Sequence, residues 1–440
     1  MCYAIPAKLV AIDGQTGTID YFGEKRQILL DLDDVAVGDY VYAQGGVLVR
    51  KIPPKEAEEI LEHWQTIFFE LKKTDAALSK IDQNKLSSNA LAVLQKVNLR
   101  KSLTPDEMLS LFNLQDEQEL KVLYEIANNV RQREHGNSSC IHGVIEFSNY
   151  CSNNCHYCGI RKDQELPRYR MSIEEIISAA KEAVDEYGFK ALVLQSGEDF
   201  WYDDAKLITM VREIRKMGVL VFVSLGLRSK ETYQKLYDAG ARAVLLRFET
   251  SNKDIFAKLR PGTNLADRVQ LIKALKAMGY VLATGFIVGF PGETNNDLIQ
   301  NILLAKYLAP DMYSFGPLIP ASNTPLFGSP KVSKDLILKT IAITRFVDSN
   351  SNILVTTALE TLDRNAKQEA LLAGANSMMI NITPKHYKEL YKIYDDKADV
   401  TKEIKQSIQE TVKMLYELGR APTDIAAHAV KTRPSGQARG

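Results

Sequence analysis

Apolar and polar positions alternate with a period of two through the first fifty residues. Ala7–Ile12, Thr18–Phe22, Lys25–Leu30, Tyr40–Ala43 and Val47–Ile52 are short runs of this kind, separated by glycine and aspartate turn residues. Five short strands in so small a span predict a small, OB-like β-barrel. After Pro53-Pro54 the period becomes helical: Ile60, Leu61, Trp64, Ile67, Phe68 and Leu71 share one face between Glu56 and Lys73. The polar stretch Asp75–Ser88 reads as a boundary. Further helices are expected from 89 to 134, where Thr104-Pro-Asp-Glu107 supplies an N-cap, a proline in the first turn and acidic residues. From Ile141 strand-like runs alternate with amphipathic helices such as Ser172–Glu186 and Leu265–Met278. The runs are Gly143–Phe147, Ala191–Gln195, Val219–Leu225, Ala243–Phe248, Val281–Val288, Met312–Gly316, Asn352–Thr356 and Ser377–Ile380. Eight strands with helical connections over about 240 residues fit an α/β fold of the (β/α)8, TIM type better than an open sheet. Helices from 384 to 418 are expected to close it. The plan is a small β-barrel with its helix (1–75), a helical connector (76–135), the large barrel with C-terminal helices (136–420) and a polar tail (421–440), disordered from Lys431 to Gly440.

Composition narrows the setting. Lysine plus arginine and aspartate plus glutamate both number 55 in 440 residues, so net charge offers no attraction to nucleic acid or an anionic membrane. No apolar run reaches the roughly 20 residues of a membrane span. The start, Met-Cys-Tyr-Ala-Ile-Pro, is not a secretory signal. Five cysteines, three of them clustered, suit metal binding in a reducing cytoplasm better than disulfides.

The chemistry concentrates in Phe147-Ser-Asn-Tyr-Cys-Ser-Asn-Asn-Cys-His-Tyr-Cys158. Cys151, Cys155 and Cys158 have C-x3-C-x2-C spacing, and three thiolates this close can wrap one metal centre from one loop. A structural zinc knuckle wants four ligands, and Cys140 or His156 would have to supply the fourth. A [4Fe–4S] cluster held by three cysteines keeps one iron open. The loop follows the first strand of the large barrel, and sites in such barrels gather at the C-terminal strand ends. The spacing resembles that of the radical-SAM superfamily, in which S-adenosylmethionine (SAM) docks on the open iron. That resemblance implies cofactor roles for other strand-end residues. Tyr157 lies where an aromatic residue approaches the adenine. Gln195-Ser-Gly-Glu-Asp199, with Gly197 and Glu198, resembles the segment that meets the SAM amino group. Ser224 ends the third strand, Glu249 suits the ribose hydroxyls, Arg268 the carboxylate as a bidentate fork, and Ile287 the adenine face.

Within the superfamily, residues 89–420 resemble the HydE-type maturases of [FeFe]-hydrogenase. The matching stretches are Ile145–Asn149, Arg168–Met171, Leu194–Asp199, Lys258–Pro261, Gly316–Pro320, Thr356–Ala358 and Met379–Pro384. Biotin synthase and methylornithine synthase share the wider architecture. The resemblance implies a substrate near Gln195, Arg247, Thr356, Thr357, Met379, Tyr391 and Tyr394. Phe248, Leu227, Phe222 and His142 depart from the family pattern, which predicts a cavity that is more apolar or smaller. No cysteines remain for a second cluster, which argues against sulfur insertion.

The first 75 residues resemble the HypC family of [NiFe]-hydrogenase assembly chaperones through Met1–Val10 and Gly38-Asp-Tyr-Val41. Cys2 matches the cysteine that holds iron with CO and cyanide ligands in that family, whereas Gln44 stands where it has a histidine. Together the resemblances imply a cytoplasmic radical SAM enzyme of hydrogenase maturation. It would be fed by a one-electron reductant and act on an iron–carbonyl–cyanide precursor carried through Cys2, alongside other maturation proteins. A mutase or lyase acting on a free amino acid and a non-enzymatic assembly scaffold remain as alternatives.

Overall fold

The computed structural model describes residues 5–81, 88–398 and 400–422. Cys2 and the tail from 423 therefore lie outside the described residues, as does the stretch 82–87 of the expected boundary between Asp75 and Ser88. The first strands, β1 (Ala7–Asp13), β2 (Thr16–Tyr21), β3 (Glu24–Leu29), β4 (Tyr40–Gln44) and β5 (Val47–Ile52), close a barrel in the order β1-β2-β3-β5-β4. Their alternating pattern fills its core with Leu9, Ile19, Ile28, Val41 and Leu48.

Helix α1 (Pro54–Leu78) runs past the expected boundary. The reason is Asp75, a polar residue that does not face solvent. It is 1% exposed and receives both Nη atoms of Arg131 at 2.7 and 2.9 Å, with Arg420 Nε at 2.9 Å. Helices α2 (Ser88–Asn98), α3 (Pro105–Phe112) and α4 (Glu117–His135) follow. Thr104 and Glu107 form the expected cap reciprocally.

The second barrel is closed and parallel. Its strands are β6 (Cys140–Ser148), β7 (Ala191–Ser196), β8 (Leu220–Ser224), β9 (Ala243–Leu245) and β10 (Val281–Thr284). After the short β11 (Ile287–Val288) come β12 (Met312–Ser314), the short β13 (Gly316–Pro317), β14 (Asn352–Val355) and β15 (Ser377–Asn381). The order is β10-β12-β14-β15-β6-β7-β8-β9. All nine residues of β6 are buried, as expected of a strand covered on both faces. Between strands lie α5 (Ile173–Asp185), α6 (Asp204–Arg215), α7 (Lys230–Asp238), α8 (Lys253–Leu259), α9 (Leu265–Ala277) and α10 (Asn295–Tyr307), and later α11 (Lys334–Val347), α12 (Thr357–Leu362) and α13 (Ala366–Leu372).

Three expectations change. The run Val281–Val288 breaks at Gly285, where a Cβ would lie 2.2 Å from the Ser314 carbonyl oxygen, so β11 pairs with β13 instead. The fourth strand stops at Leu245 because the chain turns inward, with Glu249 at φ 72°. The closing helices reduce to α14 (Lys385–Lys388) and α15 (Ile404–Glu417). The irregular segment between them is held by Asn149, which donates to the Leu390 carbonyl, and by Gly159, whose N–H donates to that of Ile393, each at 2.9 Å.

The small barrel closes the N-terminal end of the large one. Tyr42, Val47, Val49, Ile52 and Ala57 share one apolar cluster with Cys140, Ala191, Leu220, Ala243 and Met312, residues that begin strands of the large barrel. At its edge Asp31 is held by Arg242 Nε at 2.7 Å and Arg215 Nη2 at 3.2 Å. Among the described residues, no helix is long and apolar enough to cross a membrane.

Candidate active site

At the opposite, C-terminal end a cavity of about 300 Å³ opens between the loop after β6 and the barrel interior. Every candidate site residue within the described range lines it: Cys151, Cys155, Cys158, Tyr157, Gln195, Gly197, Glu198, Ser224, Arg247, Glu249, Arg268, Ile287, Thr356, Thr357, Met379, Tyr391 and Tyr394. Cys2 alone cannot be placed. These residues stand at or just beyond the C-terminal strand ends, where parallel barrels gather their chemistry.

The cysteine loop is fixed from several sides. Ser152 N–H donates to the Glu198 carbonyl at 3.0 Å and His156 N–H to that of Leu259 at 2.9 Å. Arg168 donates to the carbonyls of Asn149, Ile160, Arg161 and Gln164, tying both ends of the loop together. Gly197 is required by close approach: a Cβ there would lie 2.2 Å from the Tyr150 oxygen and 2.9 Å from Cys151 Cβ. Burial pushes the Cys155 and Cys158 thiols up, so holding both as thiolates requires a cationic partner such as iron. Cys140 cannot complete a zinc site here. It sits at the far end of the barrel with its Sγ 2.9 Å from His142 Nε2.

Beside the loop lies a buried quartet of charges. Arg260 reaches Glu198 at 3.4 Å and Glu249 at 3.6 Å, and Arg268 reaches the same two carboxylates at 3.5 and 3.8 Å. Burial opposes the charge on Arg260, but the facing Cys155, Tyr157 and glutamates overrule it and raise its pKa. Arg268 is lowered by burial and by Arg260 beside it. Arg268 is therefore not a free fork. Its terminal nitrogens face Glu198 and Glu249, and Nε donates to the Arg247 carbonyl. The contacts are loose, and Glu249 Oε2, Arg260 Nε and Arg268 Nη1 are buried without a hydrogen-bond partner. Such atoms are costly unless a ligand meets them. A ligand with hydroxyl, amino and carboxylate groups, as SAM has, fits this set.

The opposite wall holds residues that sequence reasoning missed. Glu146, 2% exposed, accepts Lys397 Nζ at 2.5 Å and Asn381 Nδ2 at 2.8 Å. Thr356, already a candidate from the sequence, has its Oγ1 buried and unpartnered. A glutamate at an inward position of an apolar strand was a readable signal for Glu146, and Arg260 lay within a stretch noted only for its resemblance. Lys397 carried no local signal. The four departures do not line the cavity, contrary to expectation. Phe248 packs in the core against Phe286, ring centres 6.0 Å apart, and the tilted rings of His142 and Phe222 meet at 4.9 Å beneath the floor. Leu227 packs against the core.

Comparison with known proteins agrees with this division. The radical SAM superfamily model matches residues 145–305, the HupF/HypC family model residues 1–64, and that of the biotin and thiamin synthesis associated domain residues 314–421. The [FeFe] hydrogenase maturase subunit HydE of Thermotoga maritima is 40% identical over 331 residues, 75% of this chain and 94% of that protein. A 3-methylornithine synthase of Methanosarcina acetivorans is 31% identical over 74% of this chain and 91% of its own length. Among solved structures, methylornithine synthase superposes with a TM-score of 0.69 at 27% identity, covering 75% of this chain and 97% of that one. The hydrogenase maturase HydG superposes with a TM-score of 0.65 at 22% identity, over 81% and 78%, a likeness of fold.

Proposed function

This chain belongs to the radical SAM superfamily, as a HydE relative fused to a HupF/HypC domain, and from that premise we propose that it matures a hydrogenase metallocofactor by acting on an iron–carbonyl–cyanide precursor. It is an enzyme, and its cofactors are the [4Fe–4S] cluster and SAM. The assembly-scaffold alternative therefore falls away. The observation that carries the substrate reading is the joining, in one chain, of a cysteine-lined radical SAM cavity with a HupF/HypC barrel.

Cys151, Cys155 and Cys158 would hold three irons. Glu198, Glu249, Arg260 and Arg268 would orient SAM, with Tyr157 and Ile287 on the adenine. When bound, the reduced cluster supplies one electron that splits SAM into methionine and a 5′-deoxyadenosyl radical. The protein's own part is to position and shield. The apolar floor of Val144, Leu354 and Met379 keeps water from the reacting end. Gln195, Arg247, Thr356, Thr357, Tyr391 and Tyr394 offer polar contacts to the substrate.

Arg268→Ala should weaken SAM binding by roughly 1.5–3 kcal/mol, about ten- to hundredfold, with cluster iron unchanged. Unaltered SAM affinity would remove Arg268 from the cofactor site. The carrier role of Cys2 has its own test. The small barrel lies at the N-terminal end of the large one, roughly 25 Å of tilted strand from the cysteine loop. Cys2→Ala should thus leave uncoupled 5′-deoxyadenosine formation intact. It should abolish infrared CO and CN bands on protein expressed beside the other maturation proteins. Equal bands in both proteins, or none in either, would defeat the carrier role. The buried Glu146–Lys397 pair favours a second reading, action on an amino acid, whose ammonium and carboxylate match its two charges. Turnover of a free amino acid without any iron donor would establish it.

A further inference from the structure

A second, larger cavity of about 870 Å³ lies outside the first, between α12, α13, β15 and α15. The two share one wall: Thr357, Met379, Tyr391, Tyr394 and Lys397 line both. We propose that this outer cavity is the entrance through which a small polar substrate reaches the barrel interior, and that Lys397, paired with Glu146, is its gate. The proposal rests on the reading of the inner cavity as a substrate site, and adds the route.

The geometry carries the argument. Lys397 Nζ lies 2.5 Å from Glu146 Oε1 on the inner side and 5.4 Å from the centre of the Tyr391 ring. One side chain thus spans the partition. The chain to either side is anchored: Ser322 N–H donates to the Asp395 carboxylate at 2.6 Å and Ala398 N–H to Thr361 Oγ1 at 3.0 Å. Opening therefore falls to the Lys397 and Tyr394 side chains, a motion of the kind that gates many active sites.

The lining of the outer cavity is polar and mixed in charge. Lys367 and Lys402 are neutralised by Glu360 and Glu410, and Arg364 and Lys392 share the wall with Glu389, Asp395 and Asp396. Such a chamber admits a small polar molecule without selecting its charge. The small barrel occupies the other end of the large one, so an iron–cyanide complex released from it would enter from solution by this side chamber.

The test reads access and needs no turnover, so it stands even if the substrate reading fails. Met379→Cys places a thiol on the shared wall. Anaerobic holoenzyme saturated with SAM, whose own site is then filled, is treated with iodoacetamide, and alkylation at position 379 is followed by peptide mass spectrometry. Ser407→Trp fills the outer cavity from α15, where Ser407 Oγ is buried and unpartnered. Gln368→Trp does so from the exposed side of α13 and serves if the first variant misfolds. Either block should slow alkylation at least tenfold with cluster content and SAM cleavage unchanged. Glu146→Gln, which weakens the gate, should speed it several-fold. Alkylation at the same rate behind either block, or none at all in the SAM-saturated protein, would overturn the entrance. An unchanged rate with Glu146→Gln would overturn the gate.

Discussion

Anaerobically reconstituted Cys155→Ser protein should hold no stable [4Fe–4S] cluster and cleave no SAM, while the wild type binds about four irons and gives a reduced-cluster EPR signal that shifts on adding SAM. The effect is large because Cys155 is the least solvent-exposed of the three, at 6%, and faces Arg260. A serine hydroxyl at that depth is a poor, neutral ligand. It would also leave the Arg260–Arg268 pair with less opposing negative charge. The fold should survive, since the loop is held by Arg168 and Gly197 rather than by the metal. Circular dichroism would separate loss of iron from loss of structure. One zinc and no iron in the wild-type protein would sink the cluster assignment.

The second large effect is on stability. Asp75→Ala should cost about 3–5 kcal/mol, the range for removing one partner of a buried ion pair. Arg131 and Arg420, both 0% exposed, would face each other without a counter-charge. Burial and the neighbouring Arg131 already press the Arg420 pKa down to about 9, so the site has little tolerance for a lost anion. Asp75→Asn keeps the shape and one acceptor oxygen and should cost less. Urea unfolding of the full chain measures both. A change below about 1 kcal/mol in Asp75→Ala, as at an exposed pair, would show that the carboxylate is not the tie between α1 and the large barrel.

Asp75 also shows where sequence reading stops. In the chain it stands at the head of a polar stretch and reads as linker. Its meaning comes from Arg131, 56 positions away, and from a C-terminal arginine. Glu146 and Lys397 are 251 positions apart, and nothing local announces Lys397. By contrast, the cysteine loop was legible because its spacing is local, and the strands were legible because burial on alternate or both faces is written residue by residue. Gly197 and Glu249 became candidates through resemblance. Only the structure shows why one must be glycine and the other takes a left-handed turn. The departures at Phe248, Phe222 and His142 misled because a substitution in a barrel strand does not say whether its side chain faces the cavity or a layer below it.

The docking of the small barrel has a consequence for how these two modules can exist at all. If the chain were severed after α1, Cys140, Ala191, Leu220, Ala243 and Met312 would lose the cover that Tyr42, Val47, Val49 and Ile52 give them. The large barrel would then present a greasy base to water, the kind of surface that drives proteins to stick to one another. The two halves thus behave as one folding unit in which neither partner is dispensable cargo. A separately expressed large barrel is expected to self-associate through that base, with the C-terminal mouth still facing solvent.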